Sequence, residues 1–140
     1  MNDVVINKVQ DIQRNVRRAR EIYGVDPAGF ASDEMRQDAV LMNVLRACEA
    51  AIDLANHVIR VRKLGIPVSS ADSFRLLQAE RIIDPQLADR MGKMVGFRNV
   101  VVHEYARVDI GIAEAVIVSG LNGLLEFADT IRRHFDGTAS

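Results

Sequence analysis

The chain has 140 residues, a formal net charge of −1, 49% hydrophobic residues and 26% charged residues. This balance is typical of a folded globular protein that can bury a substantial core, and it excludes a disordered chain or a protein drawn to nucleic acid by its overall charge. Aromatic residues make up only 5%, so the core must be mainly aliphatic, which suits packed helices better than a β-sandwich. The sequence is most simply one domain, residues 1–140.

Apolar residues recur at helical spacing along almost the whole chain. They first predict a helix over residues 3–23, and then a long helix over residues 33–64 that Ser32 or Asp33 can cap and Gly65 ends. The long helix carries two neighbouring apolar stripes. Such a wide apolar face indicates contact with several neighbouring helices or with a second subunit.

Three further helices follow in chain order: a short one over residues 71–81, one starting near residue 85, and a last one over residues 109–135. Asp84 followed by Pro85 provides an N-cap and a first-turn proline. The tail 136–140 is expected to fray. The sequence therefore predicts an all-α protein, a five-helix up-and-down bundle.

Cys48 is the only cysteine, which excludes an intramolecular disulfide and fits a reducing compartment. It lies within an apolar helical pattern and is interpreted as a packing residue rather than a nucleophile. No apolar run approaches the ~18 residues needed to cross a bilayer, and the N-terminus lacks a signal-peptide pattern. We expect a soluble, cytoplasmic protein.

The histidines His57, His103 and His134 belong to no recognisable metal-binding or Ser–His–Asp pattern. Asp53 and His57 are four residues apart on the long helix, so they can touch. A hydrogen-bonded structural pair is favoured over a pair of metal ligands, because no companion ligand is visible. The sequence indicates no metal site and no cofactor.

Basic residues cluster in 14-RNVRRAR-20 and 60-RVRK-63. At helical spacing Arg14, Arg17 and Arg18 share one face, whereas Arg20 lies elsewhere. One interpretation is a solvated face with cations near a helix C-terminus, where the helix dipole favours them. The other is contact with the phosphate backbone of an RNA, which needs several such charges on one surface. The sequence leaves both open.

The stretch 96-GFRNVVVHEY-105 places Arg98, His103 and Tyr105 around three valines. In a regular helix Arg98 and His103 would point about 140° apart and could not converge. They can converge if the helix ends near residues 99–102, where valines are poor helix formers, or if a second subunit supplies the missing group.

If they converge, the pair suits metal-free cleavage of RNA by transesterification. The imidazole of His103 can take the proton from a ribose 2′-hydroxyl or protonate the leaving 5′-oxygen. The guanidinium of Arg98 can stabilise charge on the phosphoryl oxygens. The alternative is structural: Arg98 pairs with a carboxylate and His103 simply ends a helix.

The spacing Arg98-Asn99-x-x-x-His103-x-Tyr105 resembles the R-x4-H-x-Y signature of HepT toxins in the HEPN superfamily of small helical ribonucleases. Three longer segments also resemble that family, in the same order: 43-NVLRACEAAIDLANHVI-59, 64-LGIPVSSADSFRLL-77 and 91-MGKMVGFRNVVVHEY-105. The resemblance covers roughly residues 3 to 133.

This resemblance implies a metal-independent endoribonuclease toxin with Arg98 and His103 as its catalytic pair and Asn99 as an ancillary residue. It implies that Tyr105 is modified with AMP by a partner nucleotidyltransferase antitoxin of the MNT type, which silences the toxin. It also implies a homodimer in which two such sites face one cleft.

Two other functions stay open at this point. The chain could be a non-catalytic helical partner of a minimal nucleotidyltransferase, in which Arg98 and His103 grip a nucleotide or substrate phosphate without turnover. It could also be a plain dimeric bundle in which Arg98 serves stability only.

Overall fold

The computed structural model describes the backbone of residues 3–139 and the side chains of residues 3–136. Within that range the chain forms helices and no strand. The α-helices are α1 (Asp3–Gly24), α2 (Glu34–Arg62), α3 (Ser70–Ala79), α4 (Pro85–His103), α5 (Ile110–Ala115) and α6 (Leu121–Ala139). Two 3₁₀ turns, Pro27–Ser32 and Tyr105–Arg107, and a π-helical turn, Val116–Gly120, connect some of them.

Side-chain caps start the internal helices where the sequence predicts them. The Asp33 carboxylate accepts from the Arg36 N–H (3.1 Å) at the start of α2, and the Asp84 carboxylate accepts from the Leu87 N–H (2.7 Å) at the start of α4. Each cap pairs a backbone donor that the first helical turn cannot satisfy itself.

The end of α2 lies earlier than predicted. Lys63, with φ 55°, occupies the left-handed C-terminal position, two residues before Gly65. The N–H of Leu64 then bonds to the carbonyl of Ile59 (2.9 Å), the long bond of a Schellman motif.

The four long helices run alternately up and down. Side-chain pairs join the neighbours: Lys8–Asp53 joins α1 to α2, Glu49–Arg98 joins α2 to α4, Arg90–Glu126 joins α4 to α6, and Arg20–Asn122 joins α1 to α6. The short α3 packs between α2 and α4. The bundle therefore sets the C-terminal end of α4 beside the N-terminal half of α2.

The core is aliphatic apart from three fully buried phenylalanines, Phe30, Phe74 and Phe127. Phe74 and Phe127 meet edge to face with ring centroids 5.2 Å apart. Cys48 is 3% exposed, and burial raises the pKa of its thiol to about 12, so it packs as an apolar residue, as predicted.

The structure has six α-helices rather than the predicted five, because a π turn interrupts the last predicted helix. The turn leaves the Ile117 carbonyl available, and Arg20 of α1 donates to it (3.1 Å) and to the Asn122 side chain (2.8 Å). A contact between helices about a hundred residues apart thus stabilises a local irregularity that the apolar spacing does not reveal.

Together α5, the π turn and α6 form one continuous helix. Over Ile110–Asp136 it is long and apolar enough, by length and composition, to cross a membrane, which corrects the expectation that no segment would qualify. Its apolar side packs into the core, as a core helix of a soluble protein also does. The helix continues to Ala139 instead of ending at residue 135, and Ser140 of the predicted frayed tail lies outside the described residues.

Candidate active site at the end of helix α4

Helix α4 continues regularly to His103, so the first of the two conditions for convergence, a helix end near residues 99–102, is not met. Val101 is 8% exposed and packs in a small buried cluster with Leu41 of α2 and Ala113 of α5. This tertiary packing outweighs the low helix propensity of the valines. Helical geometry therefore applies to the motif, and five residues of helix separate Arg98 from His103.

Arg98 is held by a carboxylate of the same chain. Its Nε donates to a carboxylate oxygen of Glu49 on α2, and its Nη1 donates to the side-chain oxygen of Asn99 (2.8 Å). Its side chain is 22% exposed, whereas His103 is exposed at the last position of α4. Within one chain Arg98 and His103 do not converge. This is the structural alternative that the sequence left open, in which Arg98 pairs with a carboxylate and His103 ends a helix.

Tyr105 begins the 3₁₀ turn that follows α4, and its hydroxyl donates to the Asp38 carboxylate of α2. Partial burial, together with Asp38, raises the pKa of the Tyr105 hydroxyl to about 12. The side chain is still 45% exposed, and it lines a pocket of about 380 Å³ with Asp38, Leu41 and Ala106. The hydroxyl is thus fixed in position but reachable from solvent.

Asp38 and Glu49, which belong to none of the motifs found in the sequence, hold the two ends of the motif. They are eleven residues apart on α2, which returns to within about 20° of the same face after three turns. The spacing of the two carboxylates is visible in the sequence. It indicates partners for Arg98 and Tyr105 only once α4 is known to pack along this face of α2.

His57 lies within the bundle rather than at the candidate site. His57 is 8% exposed, and burial lowers its pKa, with Arg60 adding to the effect. The predicted contact between Asp53 and His57 is not formed, since Asp53 accepts from Lys8 of α1 (3.1 Å) instead. Among the described residues no group of three or more His, Cys, Asp or Glu side chains could hold a metal ion.

The arginines of the two basic clusters partly line a groove and partly make contacts within the bundle. Arg14, Arg17 and Arg18 line one groove between α1 and α2, while Arg20 turns away to the π turn, so the predicted shared face is confirmed. In the second cluster Arg62 lies over the Phe135 ring, 5.2 Å from its centroid, which is a structural cation–π contact.

The structure thus defines a small all-α protein that places an Arg-x4-His pair and a tyrosine at the end of its fourth helix. The family model of HepT-like ribonucleases matches residues 12–131. The chain belongs to the HepT-like ribonuclease family.

Individual relatives agree with that assignment. The mRNA nuclease HepT of Shewanella oneidensis is 43% identical over 132 residues, which is 94% of this chain and 98% of the relative. The solved structure of the tri-AMPylated Shewanella oneidensis HEPN toxin in complex with its MNT antitoxin superposes with a TM-score of 0.90 at 43% identity, covering 95% of this chain and 99% of that one. The Bacillus subtilis cytosolic protein YutE shares the fold alone, at 19% identity and a TM-score of 0.79, over 99% of this chain and 95% of YutE.

Proposed function

We propose that this chain is a metal-independent endoribonuclease toxin of a HepT/MntA-like toxin–antitoxin pair, acting in the cytoplasm as one domain. The observation that carries the proposal is the position of Arg98, His103 and Tyr105 at the end of α4 in a chain of the HepT-like ribonuclease family. An imidazole and a permanent planar cation suit proton transfer and phosphate binding without a metal once the two are brought together.

The active form is a homodimer. Because α4 is helical through His103, Arg98 and His103 of one chain point about 140° apart, and a second chain must complete the site. Apolar side chains surround the motif for such a contact: Met42, one turn after Asp38, is 47% exposed, and Val102, three residues before Tyr105, is 45% exposed. Two copies of this face bring both motifs to one cleft.

Within the cleft, His103 takes the proton from the ribose 2′-hydroxyl as that oxygen attacks the phosphorus, or protonates the 5′-oxygen as its bond to phosphorus breaks. Arg98 stabilises the charge that builds on the phosphoryl oxygens, and Asn99 fixes the guanidinium through the 2.8 Å bond to Nη1. The products are a 2′,3′-cyclic phosphate and a 5′-hydroxyl end.

The same end of α4 provides the control point. A structural relative is AMPylated and bound to an MNT antitoxin. We assign the corresponding modification here to Tyr105, by a cognate MNT-type nucleotidyltransferase. Its hydroxyl attacks the α-phosphate of a nucleoside triphosphate, pyrophosphate leaves and the hydroxyl proton passes to solvent. The added phosphate brings a negative charge beside Arg98 and His103, where the RNA phosphate must bind.

The proposal is tested by incubating the purified protein with RNA in EDTA and analysing the ends of the fragments. We expect cleavage with 2′,3′-cyclic phosphate ends, and a loss of at least about 100-fold in rate for His103→Ala, since general acid–base catalysis supplies roughly that much or more. His134→Ala, which removes a histidine from α6, should cleave like the wild type. Equal cleavage by the wild type and His103→Ala would disprove the proposed role.

A further inference from the structure

A groove of about 790 Å³ runs between α1 and α2. Nine of its thirteen lining residues are charged, and the remainder include only two apolar side chains, Leu45 and Ala50. Protein–protein interfaces have an apolar core depleted of charge, so this lining favours a strongly charged ligand over a protein partner. The cations in the groove are Lys8, Arg14, Arg17, Arg18 and Arg46.

The carboxylates of the groove already have partners in this chain. These pairs are Asp11–Arg14 (2.7 Å), Glu21–Arg17 (3.9 Å), Asp53–Lys8 (3.1 Å) and Glu49–Arg98. Arg18 and Arg46 are exposed, and neither has a carboxylate partner in the part of the chain that the structure describes. With a net charge of only −1 over the chain, these two uncompensated cations make the groove locally attractive to an anion.

One residue, Glu49, joins the groove to the candidate active site. Glu49 lines the groove and also holds Arg98, and Arg46 precedes Glu49 by about one turn of α2. A polyanion that lies along the groove past Arg46 would next meet Glu49, which holds the guanidinium of Arg98. A single free phosphate could bind at one cation. Two cations in one groove, Arg18 and Arg46, instead suit a ligand that carries several phosphates.

We propose that the groove between α1 and α2 binds the sugar–phosphate backbone of single-stranded RNA, with Arg18 and Arg46 contacting successive phosphates and guiding the strand to Arg98. This inference rests on the proposed ribonuclease function and gives that function its binding surface. The contacts are to phosphate, so the groove strengthens binding without selecting a base sequence.

The test measures binding of a fluorescent single-stranded RNA oligomer to full-length His103→Ala protein, which binds without cleaving, over a series of salt concentrations. Adding Arg18→Ala and Arg46→Ala should weaken binding about tenfold or more. It should also reduce the slope of log K against log salt by about 1.4, because each phosphate contact on a single strand contributes about 0.7. Arg18→Lys with Arg46→Lys should retain most of the salt dependence.

The matched control removes the same two charges elsewhere, through Arg75→Ala on α3 and Arg133→Ala on α6. If groove and control variants weaken binding equally, the effect is one of net charge and the groove assignment is wrong. In parallel, Arg18→Ala with Arg46→Ala in the otherwise wild-type protein should raise KM and leave kcat unchanged.

The two proposals fail in different ways. If the wild type cleaves RNA but the groove variants bind it unchanged, the ribonuclease proposal stands and the groove proposal is overturned. If the groove variants lose RNA binding but the wild type never cleaves, the groove proposal stands and the catalytic proposal falls. Loss of binding to a partner protein with RNA binding unchanged would also overturn the groove proposal.

Discussion

Tyr105 and Arg98 each pair with a carboxylate on the same face of α2, Asp38 and Glu49 respectively. The two pairs have different chemical consequences. The bond to Asp38 orients the tyrosine oxygen and adds to the effect of burial in raising the Tyr105 pKa, while the pair with Glu49 occupies the Arg98 guanidinium. Under the proposed function, an incoming RNA phosphate would have to compete with Glu49 for Arg98.

The Asp38 contact can be measured through the tyrosine itself. Asp38→Asn should lower the Tyr105 pKa from about 12 part of the way toward its ordinary value of 10.0, since burial remains and only the carboxylate is removed. Absorbance of the phenolate, titrated in a Tyr23→Phe background, reports Tyr105 alone. Asp89→Asn, a carboxylate elsewhere on α4, should leave the titration unchanged; an unchanged titration in Asp38→Asn would mean that Asp38 contributes nothing.

The same pKa difference has a consequence for stability. The folded state holds the Tyr105 proton to a higher pH than the unfolded state, so the free energy of unfolding should fall as pH rises from about 10 toward 12. Asp38→Asn should reduce that fall, which chemical denaturation at a series of pH values would show.

At the scale of the helices, the C-terminal end of α2 carries avoidable strain. Lys63 adopts a left-handed conformation that glycine accepts without steric cost. Lys63→Gly should therefore raise the free energy of unfolding by about 0.5–1 kcal/mol, measured by urea denaturation.

Introducing a glycine three residues earlier, at Arg60, provides the control. Arg60 lies within the last helical turn of α2, where glycine is a poor helix former, so Arg60→Gly should lower the free energy of unfolding by about 1 kcal/mol. If both substitutions destabilised the protein equally, the left-handed position of Lys63 would not be a source of strain.

The helices predicted correctly from sequence are those whose signals are local. Asp33 and Asp84 cap α2 and α4, and the apolar stripes of α1 and α2 face the core as their spacing predicts. What the sequence could not predict depends on contacts between distant elements: Arg20 bonding the π turn, Val101 extending α4 through its packing on Leu41, and the carboxylates of α2 beside Arg98 and Tyr105.

At the candidate site, too, local features were predictable from the sequence and features that depend on tertiary structure were not. Arg98, Asn99, His103 and Tyr105 were identified by their spacing and by family resemblance, and the structure places all four at the end of α4. Whether Arg98 and His103 meet could not be decided from spacing alone, because it depended on where the helix ends. The helix continues to His103, which leaves a second chain as the route to convergence.

At the scale of the whole molecule, activity should depend on pairing of two chains. Met42→Glu with Val102→Glu places charge on the apolar face around the motif and should shift the protein to a monomer, as measured by sedimentation velocity. RNA cleavage should fall to the level of His103→Ala, because in the proposed dimer each site would then lack the group supplied by the second chain.

Val61→Glu is a control of equal exposure, since Val61 is 47% exposed near the far end of α2. It should leave both assembly and cleavage unchanged. A double variant that becomes monomeric and still cleaves RNA at the wild-type rate would contradict the need for a second chain.

The π turn at Val116–Gly120 also leads to an expectation about the sequences of related proteins. A π turn holds one residue more than the α-helical turn it replaces, so it is equivalent in length to a one-residue insertion in the helix. In this chain the arginine at position 20 uses the carbonyl that the insertion frees. Relatives without a donor at that position of α1 are expected to be one residue shorter between α5 and α6 and to run as an uninterrupted helix, a covariation that aligned sequences of the family can test.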